Sequence, residues 1–112
     1  MAIVANLIID QGSDFTSTIT VEDTVGNALD LTNYSIRGQV RKTYTSNTSF
    51  DFSCTKLTSQ GPGKIRIQLS PAQTGQMKPG RYVYDVEIIH TSGTPVIRVV
   101  EGQVTVTPRV SR

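Results

Sequence analysis

The sequence predicts an all-β fold, a sandwich of about seven antiparallel strands, and three observations predict it. Apolar and polar side chains alternate with a period of two along most of the chain, and no stretch sustains the helical period. Breaks rich in Gly, Pro, Asn and Ser recur at short, regular intervals. The 112 residues are 37% hydrophobic and 18% charged, which is apolar enough for a packed core and too weakly charged for a disordered chain. That length suits one domain, 1–112, with short arms at either end.

Each strand follows from the direction of its side chains, because successive residues of a strand face opposite ways. Val4 to Asp10 forms the first strand. Asp14 to Glu22 then sets Phe15, Ser17, Ile19 and Val21 inward against Thr16, Thr18, Thr20 and Glu22. Tyr34 to Thr43 sets Ile36, Gly38 and Val40 inward and Arg37, Gln39 and Arg41 outward. Phe50, Phe52 and Cys54 are the inward side of Ser49 to Thr55, and Ile65, Ile67 and Leu69 that of Lys64 to Ser70. Arg81 to Ile89 turns Tyr82, Tyr84, Val86 and Ile88 to the core. From Pro95 to Thr107 the inward set is Val100, Gly102, Val104 and Val106. Ile97 and Val99 fall on the other parity, which calls for a bulge or a change of partner near Arg98 and is expected to leave both side chains exposed.

Between strands, Asp23–Asn27, Thr45–Thr48, Ser59–Gly63, Lys78–Gly80 and Thr91–Thr94 are turns. Ser70–Thr74 is a helical turn, with Ser70 as N-cap and Pro71 at the first helical position. About seven short strands at this spacing point to an immunoglobulin-like β-sandwich.

The residues that chemistry needs are sparse. One Cys, Cys54, rules out an intrachain disulfide, and its ordinary place is a small buried hydrophobe. The one imidazole, His90, offers no Ser-His-Asp arrangement, and two potential Cys or His ligands fall short of a structural zinc site. Asp85, Glu87 and Glu101 could gather acids for calcium or for acid–base work. Their plainer role is a solvated face with Arg37, Arg41 or Arg98 as cross-strand partners. No catalytic residue, metal site or cofactor is expected, and the chain is not expected to be an enzyme.

The net charge of +2 names no partner. Arg37, Arg41, Lys42, Lys64 and Arg66 could form one basic stripe, but base-stacking aromatics are missing because Phe and Tyr mostly take inward positions. The stripe suits acidic neighbours in an assembly, and nucleic acid is not expected. No stretch reaches the roughly 20 apolar residues of a membrane-spanning helix, and the N-terminus lacks the pattern of a signal peptide. Synthesis in a cytoplasm is the expectation.

Three segments in order, Gly26-Asn-Ala-Leu-Asp-Leu-Thr32, Gly63-Lys-Ile-Arg-Ile-Gln-Leu69 and Pro79-Gly-Arg-Tyr-Val-Tyr-Asp-Val-Glu87, carry a family likeness. This set resembles the N-terminal immunoglobulin-like domain of tailed-phage baseplate upper proteins and small virion proteins of marine phages. The resemblance covers about Asp14 to Val106. It implies a non-enzymatic structural component of a virion, made in the host cytoplasm and placed in the tail, baseplate or capsid surface. Its partners would be other virion proteins and further copies of itself in a homo-oligomer. Within that plan Tyr82 is expected to act as a corner tyrosine, and Leu29 and Leu31 to close one end of the core. The expected assembly contacts are Ile97 and Val99 on the last strand and Arg109 in the arm from Thr107 to Arg112, with Met1 to Asn6 as a second arm. The alternative is a carbohydrate- or receptor-binding immunoglobulin-like module, which would show exposed aromatic platforms; the chain has no Trp.

Overall fold

The computed structural model describes residues 3–22, 26–27, 29–57 and 63–110. Among these lie nine strands and one short helix: β1 (Ile3–Val4), β2 (Leu7–Asp10), β3 (Phe15–Thr20), β4 (Tyr34–Arg41), β5 (Ser49–Asp51), β6 (Ser53–Lys56), β7 (Lys64–Leu69), α1 (Pro71–Gly75), β8 (Gly80–His90) and β9 (Val96–Thr107). The larger sheet runs β1-β9-β8-β4-β5, with β2 also on β9, and the smaller runs β3-β7-β6. The two pack as an immunoglobulin-like sandwich, as the alternation predicts. The turns expected at Asp23–Asn27 and Ser59–Gly63 fall mostly outside the described residues.

Seven predicted segments become nine strands because two of them break. The first divides at Ala5 and Asn6. Both halves pair with β9, and they do so in parallel rather than antiparallel. Asn6 stands in for the interrupted ladder, its side-chain oxygen accepting from the Gln103 amide at 3.1 Å. The fourth segment crosses between sheets at Phe52. Residues before it pair with β4 and residues after it with β7. Phe52 is 6% exposed, and it fits because Gly38 opposite has no side chain; a Cβ there would lie 3.0 Å from the Phe52 ring.

The core forms where the inward faces meet. Val40, Val86, Ile88 and Val104 of the larger sheet pack with Ile65, Ile67 and Leu69 of the smaller, all essentially inaccessible. Each such side chain contributes roughly 1.5–3 kcal/mol by leaving water. Leu31 is buried and Leu29 packs beside it, closing the core from the loop before β4. Ser70 caps α1 in a reciprocal capping box with Gln73, satisfying amides that the first helical turn leaves unpaired. The Tyr82 hydroxyl donates to the Lys78 carbonyl at 2.8 Å, which is the corner predicted from the sequence.

The last strand carries a correction. Its register shifts between Val86 and Glu87: Val86 faces Val100, while Glu87 faces Arg98, so Val99 is the extra residue of a β-bulge. The bulge lies where the parity change predicted it, but its effect is the opposite of the one expected. It reverses the parity upstream, so Ile97 comes to face the inward Ile88 and packs against the core. Val99 itself is only 8% exposed. Neither residue offers the open apolar surface that strict alternation implied.

Candidate functional site

The outer face of the larger sheet holds the densest set of charged side chains, and cross-strand pairing sets them in rows. Arg37, Glu87 and Arg98 form one row across β4, β8 and β9; Gln39, Asp85 and Glu101 form the next; Arg41, Val83 and Gln103 the third. Opposite charges therefore become neighbours. Arg37 Nη2 lies 2.8 Å from Glu87 Oε1. Arg98 reaches both Asp85 Oδ2, at 3.3 Å through Nε, and Glu101 Oε2, at 3.2 Å through Nη1. Gln39 donates to Asp51 Oδ1 at 2.8 Å. The acids expected to share a solvated face with arginine partners do so. Among the described residues no group of three or more His, Cys, Asp or Glu is placed to hold a metal ion.

These pairs are half open to water, so each contributes at most about 1 kcal/mol to stability. Their geometric effect is to set donors and acceptors side by side across the face. Asp85 is partly desolvated, which raises its carboxyl above the ordinary 3.8; nearby Glu87 pushes the same way, while Arg98 and Arg37 offset part of the rise.

The rows line a groove of about 390 Å³. Tyr44, in the turn between β4 and β5, stands at its side with 81% of its surface exposed. Sequence reasoning passed over Tyr44 by treating the tyrosines as core. The available signal was its place beside the polar tip Thr45–Thr48, beyond the last inward residue of β4. Arg41 also lines the groove and, among the described residues, bonds only neutral groups, the Ser46 carbonyl at 2.5 Å and Gln39 Oε1 at 2.9 Å.

The expected basic stripe does not form. Arg37 and Arg41 lie on the larger sheet, whereas Lys64 and Arg66 lie on the smaller, across the core. Lys42 sits at the end of β4 with its ammonium 4.8 Å from the centre of the Tyr82 ring. Cys54 is half-buried and donates weakly to the Phe52 carbonyl at 3.7 Å; desolvation pushes its thiol up to about 11, far from a reactive thiolate. His90, on the other sheet, meets the Tyr34 ring edge-on at 5.2 Å and shares Nδ1 with Ser92 Oγ at 2.8 Å.

A second surface lies at the free edge formed by β1 and β2. Val4 is 73% exposed, Ile8 71% and Ile3 51%. Val4 stands beside Glu101 and Ile8 beside Thr105, so both belong to the outer face of the sheet. The arm expected at Met1 to Asn6 is thus, from Ile3 onward, part of the sheet and its boundary. Arg109 is exposed; its amide donates to Gln11 Oε1 at 3.4 Å and its side chain crosses over Gly12.

No family model matches this chain, and no curated protein matches it. Among solved structures it is similar to part of InlP from Listeria monocytogenes, with 16% identity over 95% of this chain and 28% of that one, at a TM-score of 0.48. It is also similar to part of a family 123 glycoside hydrolase from Clostridium perfringens, with 12% identity over 97% of this chain and 24% of that one, at a TM-score of 0.44. The chain therefore spans less than a third of either protein. Likenesses this slight carry no argument about what it does.

Proposed function

We propose that this chain is a non-enzymatic structural component of a tailed-phage virion, a tail, baseplate or capsid-surface subunit that acts through protein–protein contacts. The observation that carries the reading is the free edge of the larger sheet. Unpaired backbone groups along an edge strand invite another strand, and monomeric proteins usually blunt such an edge with charge, Pro or a covering loop. Here β1 and β2 present Ile3, Val4 and Ile8 instead. Two copies joined edge to edge about a two-fold axis, the commonest form of closed assembly, would continue the sheet, pair its open backbone groups and set these side chains against those of the second copy. The ordered motifs of Gly26–Thr32, Gly63–Leu69 and Pro79–Glu87 supply the link to virion proteins. The partners in this reading are further copies of the chain and neighbouring virion subunits.

Sedimentation of the purified protein and mass spectrometry of purified particles test this together. The expected result is a dimer or larger closed oligomer, with the chain present in virions. The double variant Val4→Lys/Ile8→Lys should sediment as a monomer with an unchanged melting temperature, since both side chains are exposed. A parent protein that stays monomeric at high concentration and is missing from particles would overturn the proposal.

A further inference from the structure

We propose that the groove beside Tyr44 is a binding site for an acidic saccharide, a pyranose chain carrying a carboxylate. The groove lies on the face of three strands, with β8 paired on both sides, β4 joined to β5 along Gln39–Arg41 and β9 joined to β1 at Val100–Glu101. A ligand lying across this face meets side chains rather than a strand edge, so strand addition is not the binding mode it serves. Val83 is the one aliphatic side chain among its lining residues, which disfavours an apolar ligand. Its volume, about 390 Å³, falls within the range of small-molecule sites.

What the groove offers is an array of donors and acceptors set side by side. Glu87 holds Arg37, Asp85 and Glu101 hold Arg98, and Asp51 holds Gln39. A ligand with hydroxyls that both donate and accept can bond to such an array. Tyr44 supplies an exposed ring face against which the C–H face of a pyranose can lie.

The carboxylate follows from how the charges are paired rather than from their sum, which is zero. Three arginines and three carboxylates line the groove. Arg37 and Arg98 are ion-paired within it, whereas Arg41 bonds only the Ser46 carbonyl and the Gln39 amide oxygen. A guanidinium carries five N–H donors in a planar fork suited to two parallel bonds with a carboxylate. Among the described residues Arg41 thus has donors to spare and no anion of its own, and it lines the same groove as the Tyr44 ring. Arg41 and Tyr44 lie toward β5, at the far side of the groove from the edge formed by β1 and β2.

The test is a titration of the isotopically labelled full chain, followed by amide chemical shifts, with trigalacturonic acid, 3′-sialyllactose and neutral lactose as probes. At least one acidic probe should shift the amides of Gln39, Tyr44 and Asp85 and bind about tenfold or more tightly than lactose, the difference expected of a charge-assisted bond. Which acid binds separates a uronic from a sialic ligand. Arg41→Gln should bring the acidic probe down to the level of lactose, Arg41→Lys should restore part of the difference, and Tyr44→Ala should weaken acidic and neutral probes alike. Tyr44 is exposed, so its loss leaves the fold intact, and Ile8→Lys, beside Thr105 and away from the groove lining, should not change binding. No shift at the groove up to about 20 mM of any probe, weaker than any saccharide affinity of use, overturns the proposal. So do shifts that neither Arg41→Gln nor Tyr44→Ala alters.

Discussion

Replacing Gly102 with Ala should loosen the N-terminal edge of the larger sheet. Gly102 lies on β9 directly opposite Tyr84, and the Ala5 carbonyl presses so closely on it that an added Cβ would collide with the carbonyl oxygen. The obstacle is backbone, not the far end of a flexible side chain, so the chain between β1 and β2 must retreat. Three bonds depend on its present position. The Tyr84 hydroxyl donates to the Ala5 carbonyl, the Ala5 amide to the Glu101 carbonyl at 2.9 Å, and the Gln103 amide to Asn6 Oδ1 at 3.1 Å. Leaving the buried Tyr84 hydroxyl unpaired costs roughly 1–3 kcal/mol, and each of the other bonds about 0.5–1.5 kcal/mol. The expected loss is therefore about 2–6 kcal/mol in urea melts. The Ala5 and Gln103 amides should also lose protection from hydrogen exchange. A cycle with Tyr84→Phe sharpens the test: both changes act through the Ala5 carbonyl, so their costs should fall short of additive by about 0.5 kcal/mol or more. A Gly102→Ala protein within about 0.5 kcal/mol of the parent, with Ala5 still protected, would refute the close approach as the reason for glycine here.

Three further outcomes follow from the same geometry. Phe52→Ala should cost about 3–5 kcal/mol, because it empties the crossing between the sheets, while Gln68→Ala on the outer face of β7 should cost under about 0.5 kcal/mol; equal costs in urea melts would mean that the two faces are misassigned. Val99→Lys should unfold or strongly destabilise the chain by placing a charge in the buried bulge, whereas Ile8→Lys should leave the melting temperature unchanged; a folded, stable Val99→Lys protein would refute the buried bulge. Asp85 has a folded carboxyl raised above 3.8, so the stability it lends when protonated is present below its unfolded value and is lost as pH rises through the folded one. Asp85→Asn, which cannot ionise, should therefore gain stability relative to the parent as pH rises from below the unfolded value through the folded one, and melting curves showing a relative loss would contradict the shift.

Much of the fold was legible because alternation is local. Tyr82, Tyr84, Val86 and Ile88, and Ile65, Ile67 and Leu69, all face the core as period two requires. Ser70 and Pro71 start a helical turn, and the Tyr82 corner closes on Lys78, because caps and corners are built by residues a few positions apart. Of the site, the sequence supplied the acid–arginine face and missed Tyr44, since exposure at a hairpin tip depends on how far neighbouring elements reach.

The sequence by itself determined which side of each regular strand is dry, since a pleated strand leaves its side chains no other choice. Only the tertiary structure decided which strands meet. The parallel pairing of β1 and β2 with β9 joins residues nearly a hundred positions apart, which no local pattern encodes. The bulge at Val99 is the clearest case. The parity break was visible in the chain, but whether it turns Ile97 and Val99 outward or inward depends on the register against β8, and that register brought both to the core. The basic residues make the same point from the surface: Arg41 and Arg66 are alike in sequence pattern, yet the crossing of the chain at Phe52 and the pairing of β7 with β3 put them on opposite faces of the sandwich.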